Sequence, residues 1–207
     1  MSGQAVALET IFWYIGMVLE SKVIINAFSK IHRRDFVPEE YKKGVSVNVP
    51  IPIGFGQTNS QPTTVAFMFE LLELMPGQKI LDVGSGSGWT TALLAQIVGP
   101  KGKVFGVERV PKLVELSKSA LDKYKFSNTE IKKSGNELGL PEQAPFDRIL
   151  VSASAEDLPQ DLLNQLALGG IMVIPIKNSV YKVTKNKNGK IYKTEFSGFA
   201  FVPLIYQ

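Results

Sequence analysis

The spacing of apolar residues changes character along the chain, and each change marks a different kind of element. Leu8, Phe12, Ile15 and Leu19 recur at three- and four-residue intervals, which predicts a helix over 4–20, and a second helix follows over 21–31. After the polar stretch HRRDFVPEEYKKG, Val45, Val47 and Val49 alternate with other residues and predict an edge strand that Pro50 and Pro52 end. Residues 52–61 read as a loop, and 62–74 as a helix with Pro62 in its first turn. From Lys79 onward the pattern is regular. Strand-length apolar runs at 79–83, 103–108, 129–133, 147–153 and 171–176 alternate with helix-length segments at 89–98, 111–124 and 159–167. Repeated β–α units predict a parallel sheet with right-handed crossovers. Beyond Ile176, VYKVTK and KIYKTEF predict a hairpin with Asn188-Gly189 as its turn, and FAFVPLI a last strand. The expected fold class is therefore α/β, a doubly wound and mostly parallel sheet with N-terminal helices and a C-terminal antiparallel hairpin. One domain is expected over 1–207, divided into 1–60 (N-terminal helices and a loop), 61–176 (the α/β core) and 177–207 (hairpin and last strand).

The chemistry gathers at KILDVGSGSG. A short buried strand leads into Gly84, Gly86 and Gly88, and WTTALLAQIV then reads as a helix. Doubly wound folds bind ligands at the carboxyl ends of their strands. Glycines there permit φ > 0 and let a ligand approach bare backbone. The spacing is G-x-G-x-G with Trp89 next, not the G-x-G-x-x-G of dinucleotide sites, which argues against a nicotinamide cofactor. Glu108 ends the next strand and can accept hydrogen bonds from ribose hydroxyls. From these residues alone a purely structural turn, with Asp82 capping it and Glu108 solvated at a strand end, stays open. The absence of cysteine excludes disulfides, thiolate zinc sites and thiol catalysis, and the single histidine, His32, excludes a histidine metal cluster; no metal is expected. No apolar run has the length of a membrane span. Glu9 and the lack of a basic leader make the N-terminus a poor signal peptide, so a cytoplasmic protein without a membrane partner is expected. The net charge of +4 permits nucleic-acid binding, but the lysines gather in YKVTKNKNGKIYK, which reads better as a solvated hairpin. A nucleic-acid partner is not expected.

DVGSGSG with the later Glu108 resembles motif I and the second-strand acid of class I S-adenosylmethionine (SAM) methyltransferases. PIGFGQTNSQPTTVAFMFELLEL resembles the hallmark segment of the protein-L-isoaspartate O-methyltransferases. RRDFVPEEY before it, PEQAPFDRILVSASA and LLNQLALGGIMVIPI after it, and the closing FVPL resemble the same family in the same order. The resemblance implies SAM as cofactor and methyl transfer to the carboxyl of L-isoaspartyl residues in damaged proteins, with such peptides or proteins as partners and a monomeric enzyme. It places Ser60 at the family's active-site serine and Gln57, Thr58 and Asn59 over the methyl group. Asp82, Gly84, Ser85, Gly86 and Gly88 go to the methionine part of the cofactor. Glu108 goes to the ribose with Arg109 beside it, and Asn136 and Glu137 go near the adenine. Asn136 stands where the family usually has Asp; Asn59, Thr63 and Thr64 also depart from its pattern, and VSVNVPIP lacks an expected Tyr-x-Asp. A carboxylate acceptor is already ionised at pH 7, so the chemistry needs alignment and exclusion of water, not a general base. Two readings of Ser60 remain side by side: a helix N-cap, or a hydroxyl that orients the acceptor. Alternatives for the whole are a related SAM enzyme acting on RNA or a small molecule, and a SAM-binding protein without activity.

Overall fold

The computed structural model describes residues 21–206; the helix expected over 4–20 lies outside them. In chain order the described elements begin with α1 (Lys22–Lys30), β1 (Ile51–Gly54), β2 (Gln57–Asn59) and α2 (Pro62–Leu72). β3 (Lys79–Val83), α3 (Trp89–Val98), β4 (Lys103–Glu108), α4 (Pro111–Asp122) and β5 (Thr129–Lys133) follow. The chain continues with β6 (Phe146–Val151), α5 (Gln160–Gln165), β7 (Leu166–Ile176), β8 (Ser179–Lys185) and β9 (Ile191–Ser197). Seven strands make one sheet in the order β5-β4-β3-β6-β7-β8-β9. Its first five strands run parallel, and β8 and β9 are antiparallel additions.

Strand alternation divides the core between the two faces of the sheet. Ile80, Val104, Leu150 and Val173 pack on one face with α1, α2 and α3, around Phe28, Phe69 and Trp89. Leu81, Phe105, Ile149 and Met172 pack on the other face, around Phe146 and Leu162. Each such side chain, fully withdrawn from water, contributes about 1.5–3 kcal/mol. Helix α3 is buried on almost every side because it lies between the sheet and α1, where the rings of Phe28 and Trp89 meet edge to face at 5.5 Å.

Four expectations are corrected. The alternating valines form no strand and pair with none among the described residues; residues 45–49 are a run of turns and bends whose carbonyls point at Arg33. The expected loop over 52–61 contains the β1–β2 hairpin, turned by Gly54, Phe55 and Gly56, all at positive φ. Helix α5 stops at Gln165 and β7 begins at once, with Gly169 at φ +80° accommodating an irregular register opposite β6. FAFVPLI forms no strand, only a single bridge between Ser154 and Pro203. The C-terminal hairpin is present, but its turn is wider than Asn188-Gly189 alone. Asn186 Oδ1 accepts the N–H groups of Asn188 and Lys190 and organises it.

Candidate functional site

Strand order reverses between β3 and β6, and in open α/β sheets the crevice beyond the strand ends at such a point is where ligands sit. A cleft lies there. Its inner part is walled by Gln57–Ser60, the turn 84–87, Trp89, and Ser152 and Ala153 after β6. Its outer part, about 300 Å³, is walled by Glu108 and Arg109, by 134–139, and by the tail 203–206. Gln57, Gly84, Glu108 and Ala153 border both parts, so the two are continuous.

The floor of the cleft is the glycine turn. Gly84, Gly86 and Gly88 have φ of +75°, +54° and +90°, a left-handed region that side chains resist. Glu108, 6% exposed, ties this turn to β4: Oε2 accepts the Gly86 N–H at 3.0 Å and Oε1 accepts the Val110 N–H at 2.9 Å. Asp82 lies fully buried beneath the turn, where Oδ2 accepts the hydroxyls of Thr90 (2.7 Å) and Thr91 (2.6 Å). Burial pushes its carboxyl up to about 6, against the opposing effect of the two hydroxyls. Asp82 Oδ1, Ser85 Oγ and Trp89 Nε1 are buried with no partner among the described residues. Unsatisfied buried polar atoms are rare in folded proteins; Ser85 and Trp89 both border the cleft, so a ligand with polar groups fits this floor.

The roof is the segment 45–60, and Arg33 holds it. Arg33 is 5% exposed, and its guanidinium lies over the Trp89 ring at 5.3 Å. Nε donates to Asn59 Oδ1 at 2.8 Å, and Nη1 donates to Val45 O and Val47 O. Nη2 donates to Val49 O (2.8 Å), Asn59 O (3.0 Å) and Ser60 O (2.9 Å). Desolvation pulls the guanidinium down to about 10, which leaves it charged at pH 7. Asn59 Nδ2 in turn donates to Ser87 Oγ at 3.3 Å, joining roof to floor. The N-terminus of α2 bears on the capping reading of Ser60. Its N-cap is Gln61, and the free N–H of Thr63 is taken by Asn48 Oδ1 at 3.1 Å. The Ser60 hydroxyl is therefore not a cap, and the residue stands in the cleft wall.

Of the residues expected at the site, Gln57, Thr58, Asn59, Ser60, Gly84, Ser85, Gly86, Glu108, Arg109, Asn136 and Glu137 border the cleft. Asp82 and Gly88 do not. Asp82 supports the turn from below, and Gly88 starts α3 where an added Cβ would lie 2.9 Å from Ser117 Cβ. Ser152 and Ala153 were not anticipated, although their place at the carboxyl end of a central strand was a usable signal. Arg33 gave none. No group of His, Cys, Asp and Glu among the described residues could hold a metal ion, and no helix among them is long and apolar enough to cross a membrane.

Comparison with known proteins shows the family and agrees with the fold. Residues 13–207 match the family model of protein-L-isoaspartate(D-aspartate) O-methyltransferase. The chain is 43% identical over 188 residues to a protein-L-isoaspartate O-methyltransferase of Methanothrix thermoacetophila, covering 89% of each chain. To a protein-L-isoaspartate O-methyltransferase of Ignicoccus hospitalis it is 41% identical over 192 residues, 90% of each. Among solved structures it resembles a protein-L-isoaspartate O-methyltransferase with a TM-score of 0.85 at 26% identity, covering 95% of this chain and 65% of that one. It also resembles, with a TM-score of 0.85 at 27% identity over 100% of both chains, a Plasmodium falciparum protein described as a member of the same enzyme class and solved with S-adenosyl-L-homocysteine.

Proposed function

This chain belongs to the protein-L-isoaspartate(D-aspartate) O-methyltransferase family, and from that premise we propose that it methylates the carboxyl group of L-isoaspartyl residues in damaged proteins, using SAM. All of 1–207 acts as one unit in this reading, with the described part of 1–60 forming the acceptor side, 61–176 the cofactor side, and 177–207 extending the sheet with its hairpin and lining the cleft with its tail. The observation that carries it is Ser60, standing in the cleft wall opposite the glycine turn with its hydroxyl relieved of the capping role by Asn48.

SAM supplies, when bound, a methyl group on a positively charged sulfur. The chain's own residues have no proton to move, because the acceptor carboxylate is ionised at pH 7. Their work is alignment and exclusion of water. Ser60 donates its O–H to one acceptor oxygen and leaves the other free to attack. Each carboxylate oxygen of Glu108 already accepts one backbone N–H, and the remaining lone pairs are left to accept the ribose hydroxyls. Ser85 and the bare backbone of Gly84 and Gly86 form the floor under the methionine part. Arg109, Asn136 and Glu137, in the outer part of the cleft, border the adenine end. Gln57, Thr58 and Asn59 close over the reacting groups. Asp82 and Gly88 lie behind the cleft wall and support the turn from there.

Replacing Ser60 with Ala should cut methyl transfer to an isoaspartyl peptide roughly 10- to 100-fold, or about 1.4–2.7 kcal/mol of transition-state stabilisation. Melting temperature and S-adenosylhomocysteine affinity should hardly move. The assay runs an isoaspartyl peptide, its aspartyl twin and bulk tRNA side by side with labelled SAM. Folded wild-type protein that binds SAM and leaves the isoaspartyl peptide unmethylated defeats the proposal.

A further inference from the structure

We propose that Arg33 is a positioning residue for methyl transfer, one that fixes where the Ser60 strand sits above the glycine turn; the role rests on the function proposed above. The argument is geometric. A planar guanidinium offers five N–H donors in a rigid fork. Here all three nitrogens are engaged, and every acceptor belongs to the roof: four backbone carbonyls of 45–59, that of Ser60, and the Asn59 amide oxygen. The same Nη2 holds the carbonyls of Asn59 and Ser60 together. Beside Arg33, the roof is held by Asn48, which accepts from Thr63, and by the buried side chains of Ile51 and Ile53. Its one ladder is the short β1–β2 pair, and 45–49 forms no regular structure.

Arg33 reaches the floor by two routes. Its guanidinium stacks over Trp89, the first residue of α3, and Asn59 passes the link on to Ser87 in the turn itself. A single side chain therefore ties together the two walls that the acceptor and the methyl donor must share. In-line displacement is sensitive to that spacing, and a displacement of about 1 Å can cost on the order of 100-fold in rate. A buried arginine that merely held the fold together would not carry this consequence for the rate per folded molecule.

The test compares Arg33→Lys, which keeps the charge and loses the fork, with Arg33→Gln, which keeps a planar donor group and loses the charge. Each preparation is titrated with S-adenosylhomocysteine to count folded molecules, and kcat and KM are then measured on an isoaspartyl peptide. We expect kcat per folded molecule to fall roughly 10- to 100-fold in Arg33→Lys, with S-adenosylhomocysteine affinity within about threefold of wild type. Arg33→Gln should retain more of kcat than Arg33→Lys. Unchanged kcat per folded molecule in Arg33→Lys, whatever its melting temperature, overturns the role. Should neither variant fold, Asn59→Ala decides. It removes the Nε acceptor and the link to Ser87 while leaving Arg33 in place, and it should lower kcat about threefold; wild-type kcat there overturns the role equally. An inactive wild type defeats the proposed function and this role together, whereas an active wild type with indifferent variants defeats this role alone.

Discussion

The two walls of the cleft are built by different means. The floor is made of backbone. Parallel pairing sets Asp82 beside Gly106 and Val83 beside Val107, and Val107 O then accepts the N–H groups of both Gly84 and Ser85. The roof is made of side chains, with Arg33, Asn48 and Asn59 supplying the bonds that a sheet would otherwise provide. A wall of backbone is damaged by adding atoms, and a wall held by side chains is damaged by removing them. That asymmetry can be tested by substitution.

The largest effect is expected just behind the floor, where the glycine turn enters α3. Gly88→Ala places a methyl group 2.9 Å from Ser117 Cβ at a residue with φ of +90°. Left-handed strain of about 1–2 kcal/mol and forced repacking of about 1–3 kcal/mol together should lower unfolding free energy by about 2–5 kcal/mol, read from urea denaturation. Little change would mean that α4 yields, and that the floor is less rigid than its backbone suggests.

A smaller effect belongs to Asp82, and its sign can be worked out. Its carboxyl sits at about 6 in the folded protein and at 3.8 in its unperturbed state, so the folded form holds the proton more tightly. The resulting stabilisation is complete below pH 3.8 and is lost as pH rises through 6. Asp82→Asn can still accept both threonine hydroxyls and removes this dependence. The stability difference between wild type and variant should therefore shift by at most about 3 kcal/mol between pH 4 and 6, with wild type losing ground as pH rises. Parallel pH curves for the two proteins would put the carboxyl back in the ordinary range.

The smallest effect belongs to the roof. Asn48→Ala removes the acceptor for the N–H and the hydroxyl of Thr63, and should cost about 1 kcal/mol by thermal melting, as the loss of an N-cap does. Ser60→Ala should cost much less stability. If the two losses are reversed, the cap has been assigned to the wrong residue.

The same contrast explains what the sequence could reveal. The floor is periodic: Ile80, Leu81 and Val83 read as a strand, the glycines as a turn and WTTALLAQIV as a helix, and each stands where expected. The acid that closes the turn, Glu108, was legible from its position at the end of the next strand. The roof is not periodic. Arg33 lies in a run of charged residues that looks like a solvated connector, and an arginine buried among carbonyls has the same sequence signature as one in water. Val45, Val47 and Val49 alternate as a strand would, yet two of them are exposed and all three turn their carbonyls to Arg33. Ser60 is legible as a candidate, but only the placement of Asn48 shows that its hydroxyl does not cap α2. At the other end of the core, the helical spacing of LLNQLAL runs past the true end of α5, because Leu166 serves the strand as well as it would have served the helix.

Strand β9 ends the sheet, so one side of its seven residues has no strand beside it among those described. A free edge of this kind is a template on which further copies can stack, and charged side chains are a common means of preventing it. Lys193 and Glu195 stand exposed along this edge, with Lys187 and Lys190 exposed at the adjoining turn. A like-sequenced strand approaching there would have to bring its own lysines up to these and strip water from both sets. The open edge thus carries the hydrated charges that make a second strand costly to dock.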